Sequence, residues 1–221
     1  MTAESLPTRR FAAFLFDMDG TIISSIASAE RAWTRWAQAH GLDVATFLPT
    51  IHGVRSVDTI RRLGLPGVDP EAEAASITRA EIADVGDIVE IPGARAFLRA
   101  LPPERWAIVT SAPRELALRR LEAAAMPVPA LLIAAEDIGE GKPAPDCFVL
   151  GAERLGVAAA DCLVFEDAPA GIRAGEAAGA SVVVVTATHH APIETQHATI
   201  PDYRALTVDA APEGLRVVSG D

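Results

Sequence analysis

The run Phe11-Ala12-Ala13-Phe14-Leu15-Phe16 is apolar at every position and then meets two carboxylates, Asp17 and Asp19. A strand with one wet face alternates in polarity. One that is apolar on both faces must be covered on both, as in a parallel sheet flanked by helices. Four further runs repeat the pattern: Trp106 to Val109, Leu131 to Ala134, Leu163 to Phe165 and Val182 to Val185. Helical periodicity fills the gaps, over Ala94 to Leu101, Arg114 to Ala125, Phe148 to Leu155 and Ala170 to Ala178. Strands alternating with helices specify an α/β domain built on a central parallel sheet.

One stretch breaks the alternation. From about Ser28 to Asp87 the pattern is helical only, with Trp33, Trp36 and Ala37 spaced on one face of a helix over Glu30 to His40. Asp58 to Leu63 and Glu71 to Ile82 read as further helices. Gly20-Thr21 before the stretch and Pro92-Gly93 after it supply turn signals. The expected organisation is a core of residues 1–23 and 91–221 with a helical domain, residues 24–90, inserted after the first strand. Beyond Thr186 the signals are weak and predict loops with a short closing strand.

Half of the chain is hydrophobic but only 5% is aromatic, so the core must be made mainly of small aliphatic residues. No apolar run is long enough for a bilayer, and Met1 to Arg10 lacks the apolar stretch of a secretory signal. Cys147 and Cys162 cannot build a disulfide framework and lack metal-ligand spacing. The expectation is a soluble cytoplasmic protein, a monomer or weak homodimer. The net charge of −11 argues against nucleic acid, which needs a basic footprint. It also repels any small anionic ligand, so local cations must bind one. Of 19 basic residues only Lys142 is a lysine. A single ammonium in an arginine-biased chain suggests a site that needs a point charge on a flexible stem.

Ligands of open parallel sheets gather beyond the carboxyl ends of the strands. Asp17 and Asp19 follow the first apolar run, Thr110 and Ser111 the second, Lys142 the third after a loop, and Glu166 and Asp167 the fourth. Four carboxylates brought together repel one another unless a cation joins them, and all-oxygen ligands suit Mg²⁺. A carboxylate held by metal and Lys142 stays ionised and nucleophilic. A second carboxyl two residues on can protonate a leaving alkoxide and later deprotonate water. The inventory points to phosphate-ester chemistry.

At these residues the chain resembles the haloacid dehalogenase superfamily, in its phosphatase and phosphomutase branch. The matching segments are Asp17-Met18-Asp19-Gly20-Thr21, Val109-Thr110-Ser111, Gly141-Lys142-Pro143-Ala144-Pro145-Asp146 and Glu166-Asp167-Ala168-Pro169-Ala170-Gly171. The resemblance implies a Rossmann-like core, with Asp17 as nucleophile, Asp19 as acid/base, and Ser111 and Lys142 on the phosphoryl group. It implies Mg²⁺ on the Asp17 side chain, the Asp19 main-chain carbonyl and Asp167, with Glu166 as an outer ligand or orienting a metal-bound water. Gly20, Thr21, Thr110 and Ala112 are the expected substrate contacts in the core. The helical insert resembles a cap that closes over the crevice and excludes water. In it, Ser24 to Asp43 and His52-Gly53-Val54-Arg55-Ser56 are similar to the branch acting on small sugar and polyol phosphates, and His52 and Arg55 are candidate substrate contacts.

Asp19 argues against a dehalogenase, which needs no leaving-group acid. A cap without lysine argues against a phosphonatase. The expected substrate is a small phosphorylated metabolite. A sugar-phosphate mutase is the nearest rival, and a non-catalytic binding module on the same scaffold a more distant one. His189-His190 lacks helix-face ligand spacing and reads as a surface loop. Trp33 and Trp36 read as packing residues of the insert.

Overall fold

The computed structural model describes residues 6–189 and 191–220. The first strand, β1 (Ala13–Phe16), is followed by β2 (Ile23–Ser24) and four helices: α1 (Ile26–Ala39), α2 (Val44–Phe47), α3 (Ser56–Leu63) and α4 (Pro70–Ala83). The chain returns through β3 (Val89–Glu90) to α5 (Ala94–Arg99), β4 (Trp106–Val109), α6 (Arg114–Ala123) and β5 (Leu132–Ile133). Then come α7 (Asp146–Arg154), β6 (Cys162–Glu166), α8 (Pro169–Ala177), β7 (Ser181–Val185), β8 (Ala198–Ile200), β9 (Leu206–Ala211) and β10 (Gly214–Ser219).

Six strands form one parallel sheet in the order β5-β4-β1-β6-β7-β8. The chain first builds outward from β1 through β4 and β5, then returns to the other side of β1 for β6, β7 and β8. The strand order therefore reverses about β1, and a crevice opens at the carboxyl ends of β4, β1 and β6. This is the α/β parallel-sheet core that the apolar runs predict.

The all-apolar character of β1 has a direct use. Phe14 and Phe16 pack into one buried cluster, and Ala13 and Leu15 into another. The few aromatics are concentrated in the first. Phe16 stacks on Phe165 of β6 with ring centroids 4.6 Å apart, and Phe97 and Tyr203 close around them. Each stacked ring immediately precedes an acid, Asp17 on one strand and Glu166 on the other. The aromatic layer thus fixes the spacing of the two strand ends that carry the site.

Between β2 and β3 the four helices enclose their own apolar cluster, in which Trp33, Trp36, Phe47, Ile60 and Ile77 are buried. The two chain crossings pair antiparallel as a short neck, Ile23 opposite Glu90 and Ser24 opposite Val89. Asp43 and Asp69 accept main-chain N–H groups at the starts of α2 and α4, as helix-capping carboxylates do. The tail differs from the expectation of loops and one short strand. It adds β8 to the sheet and then folds β9 and β10 into an antiparallel hairpin. Its turn at Pro212-Glu213 and the apolar residues of β10 were the available signal. No helix among the described residues is long and apolar enough to cross a membrane. Cys147 and Cys162 are free and buried.

Candidate active site

Asp17 leaves β1 at the centre of the sheet and is 5% exposed. Its main-chain N–H donates to the Phe165 carbonyl at 2.9 Å, which continues the strand pairing to the point where the side chain must be aimed. Lys142, 2% exposed, reaches the same point from the loop after β5. Its Nζ donates to Asp17 Oδ1 at 2.6 Å and to Glu166 Oε1 at 2.8 Å, with the Phe148 ring 5.1 Å away. The sole lysine is therefore shared between two buried acids.

Glu166 is fully buried and spends its other oxygen on the backbone. Oε2 accepts from the N–H groups of Asp167 at 2.7 Å and Ala168 at 2.8 Å. This closeness requires Gly171 on α8, because a Cβ there would lie 1.4 Å from Glu166 Oε1. Glu166 thus orients Lys142 and tethers the backbone that carries Asp167. Gly20 has φ +89° and abuts Asp167, whose Oδ2 would lie 2.0 Å from any Cβ at that position. Thr21 Oγ1 donates to Asp167 Oδ1 at 3.2 Å. Gly20 and Thr21, grouped by sequence with the substrate contacts, here shape and hold Asp167.

The charges are under tension. Burial pushes the Asp17 carboxyl up to about 7, with Lys142 pulling against it and Glu166 and Asp19 adding to it. Burial, then Glu166 and Asp17, raise Asp167 well above the ordinary carboxylate range. Lys142 is disfavoured by burial, but Asp17 and Glu166 outweigh that and raise it. One ammonium among three clustered acids leaves uncompensated negative charge. Asp17, Glu166 and Asp167 each offer an oxygen, all within 4.8 Å of one another. Buried oxygen donors with surplus negative charge fit a hard divalent cation.

A cavity of about 80 Å³ lies between this floor and the helical insert. Of the residues singled out in sequence, Asp17, Asp19, His52, Thr110, Ser111, Ala112 and Asp167 line it. The Thr110 hydroxyl accepts from the Ala112 N–H at 3.1 Å, a local bond that shapes the loop after β4. Ser111 Oγ donates to the Gly53 carbonyl of the insert at 3.0 Å. His52 Nε2 lies 3.5 Å from Glu30 Oε1; burial lowers the imidazole, and Glu30 opposes this.

Arg55 goes elsewhere. Its guanidinium donates to Asp58 and to the carbonyls of Ile138 (3.2 Å) and Gly139 (3.0 Å), clamping the insert to the loop that leads to Lys142. Gly141 makes room for it, since a Cβ there would lie 2.7 Å from Arg55 Nε. His189 lies in a loop, half-buried, with its Nε2 2.9 Å from the Asp167 carbonyl. His190 lies outside the described residues.

Two charged residues of the cavity wall are not singled out by sequence. Arg120 of α6 donates from Nη1 to Asp19 Oδ1 at 2.9 Å and from Nη2 to Glu81 Oε1 at 3.1 Å. Both Arg120 and Glu81 are 4% exposed, and Glu81 belongs to α4 of the insert. Ser25 Oγ also donates to Asp19 Oδ1, at 2.5 Å. No local pattern marks Arg120 or Glu81; only the packing of α4 on α6 brings them together.

Residues 11–179 match the haloacid dehalogenase-like hydrolase family. Hexitol phosphatase A of Escherichia coli is 38% identical over 210 residues, covering 93% of this chain and 97% of its own. The 2-deoxyglucose-6-phosphate phosphatase 1 of Saccharomyces cerevisiae is 33% identical, covering 79% of this chain and 80% of its own. Among solved structures, a β-phosphoglucomutase from Clostridium difficile superposes with a TM-score of 0.73 at 20% identity, over 87% of this chain and 91% of that one. At that identity the likeness concerns the fold.

Proposed function

Since the chain belongs to the haloacid dehalogenase-like hydrolases, we propose that it hydrolyses phosphate monoesters of small sugars or polyols through an aspartyl-phosphate on Asp17. The observation that carries the reading is the buried Asp17–Lys142–Glu166 relay at the sheet's switch point. It presents one carboxylate with an ammonium bonded to Oδ1, while Oδ2 has no protein hydrogen-bond partner among the described residues.

The chemistry follows from the positions. Asp17 attacks phosphorus, and the bond from phosphorus to the ester oxygen breaks. Asp19, at the cavity edge, gives that oxygen its proton, so the alcohol leaves neutral. Asp19 then takes a proton from water, whose oxygen attacks the same phosphorus and releases inorganic phosphate with Asp17 restored. Lys142 holds a phosphoryl oxygen, and Ser111 exchanges its bond to the Gly53 carbonyl for another. Mg²⁺ held by Asp17, Asp167 and the Asp19 main-chain carbonyl, with Glu166 behind them, would neutralise phosphoryl charge. The helical insert, residues 24–90, acts as the cap, with His52 at its inner face and Arg55 latching it to the core.

The names of the relatives support polyol and sugar phosphates as the substrate class. The small cavity supports a small leaving group. A mutase would need to hold a second phosphate. Among the described residues, the one arginine lining the cavity is Arg120, whose two terminal nitrogens are both engaged by carboxylates. Hydrolysis is therefore preferred. The test is phosphate release from a panel of hexitol, hexose and glycerol phosphates with Mg²⁺. Asp17→Asn is expected to abolish release while its circular dichroism matches wild type; retained turnover in that variant would sink the mechanism.

A further inference from the structure

The proposed hydrolysis leaves Arg120 without a stated role, although it is a buried cation in the cavity wall. Burying a charge is costly unless its partners are well placed. Arg120 has two, one from each side of the cavity: Asp19 of the core and Glu81 of the insert, at 2.9 and 3.1 Å. Burial works against the guanidinium, and Asp19 and Glu81 together outweigh it and keep it charged.

The bonds on Asp19 are unequal in a useful way. Arg120 Nη1 and Ser25 Oγ both donate to Oδ1. Oδ2 has no protein partner among the described residues. A carboxylate with one oxygen fixed by two donors has the direction of its other oxygen set as well.

We infer that Arg120 is a positioning residue for the acid/base step: it pins Asp19 Oδ1 so that Oδ2 faces the leaving group, while Glu81 holds Arg120 in place from the insert. In this arrangement the proton passes from Asp19 Oδ2 to the ester oxygen as its bond to phosphorus breaks, and Arg120 transfers nothing. The aim of Asp19 then depends on the insert being seated, because Glu81 arrives with it. The inference rests on the phosphatase reading above.

A bridge that merely bolted α4 to α6 would affect all substrates alike. A positioning role depends on the leaving group, since an alkoxide needs a proton and p-nitrophenolate does not. The experiment compares kcat/KM for the best alkyl phosphate of the panel with that for p-nitrophenyl phosphate, in wild type, R120M and E81M/R120M. This quantity spans binding through the first breakage of a bond to phosphorus, so slower release of the phosphoryl group from Asp17 does not confuse it. The paired variant replaces both buried charges by apolar groups and stays decisive if R120M, with Glu81 stranded, fails to fold.

Misaiming the acid is expected to cost about 100-fold on the alkyl ester and less than about 5-fold on the nitrophenyl ester. Equal losses on both esters, or no loss on either, would overturn the inference. If wild type releases phosphate from neither ester, the phosphatase reading itself fails and takes the inference with it.

Discussion

Replacing Gly171 by alanine tests how the site is locked, because the ordinary rule and this structure predict opposite signs. Inside a helix, alanine is favoured over glycine by about 1 kcal/mol, so a neutral environment would make the change stabilising. Here the new Cβ would lie 1.4 Å from Glu166 Oε1 and 2.0 Å from its Cδ, so the carboxylate must leave. Glu166 accepts three bonds, from Lys142, Asp167 and Ala168. Hydrogen bonds to charged groups contribute about 1.5–3 kcal/mol each. Losing two of them, less the helix gain, gives a net loss of roughly 4 kcal/mol, or roughly 8–16 °C in Tm for a domain of this size. Lys142 then pairs with Asp17 alone, and turnover is expected to fall about 100-fold as the nucleophile loses its alignment. Gly86→Ala is the control, since among the described residues no non-neighbouring atom lies within 4 Å of a Cβ there; its Tm should stay within about 2 °C of wild type. Thermal unfolding and phosphate release are measured on the same preparations. A G171A protein that melts at or above wild type with undiminished turnover would refute the claim that Glu166 is locked under α8.

Metal and proton should compete at the acidic cluster. In the metal-free protein Asp17 is pushed up to about 7 by burial, from an ordinary 3.8, so between those values the folded state keeps a proton that the unfolded state has lost. Stability therefore falls as pH rises through that window, and added Mg²⁺ should raise Tm more at pH 8 than at pH 5; equal gains at both would contradict this, and chelation should stop turnover. Tyr203 is 1% exposed, and its hydroxyl has no hydrogen-bond partner among the described residues. Tyr203→Phe should stabilise by about 1 kcal/mol in urea unfolding, and a destabilisation of that size would show that the hydroxyl is satisfied.

The features that were legible in sequence are those encoded by neighbours along the chain. Apolar runs gave β1, β4, β5, β6 and β7, and the polar residues that follow them gave the crevice, because strand ends in a parallel sheet lie on one side. Lys142 stood out through composition, and the structure brings it together with Asp17, Glu166 and Asp167. The rest depends on long-range packing. Arg120 and Glu81 are 39 residues apart on different helices, and neither helix carries a pattern that marks them. Arg55 could be named from its local segment, but not the carbonyls of Ile138 and Gly139 that it meets. His189 reads as a loop residue and is one, but nothing in the tail signals its contact with the Asp167 carbonyl. The neck strands of two residues each are too short for any periodicity to show.

The solitary lysine also makes the protein a counting device. With no other ε-amine in the chain, an amine-directed reagent that enters this side chain reports one event at one place. Its depth, 2% exposed and bonded to Asp17 and Glu166, means that the reaction must wait until the ammonium leaves those two acids. Mass gained on the peptide that carries Lys142, counted apart from the chain's α-amino group, thus becomes a clock for exposure of this one site, with no second lysine to blur it.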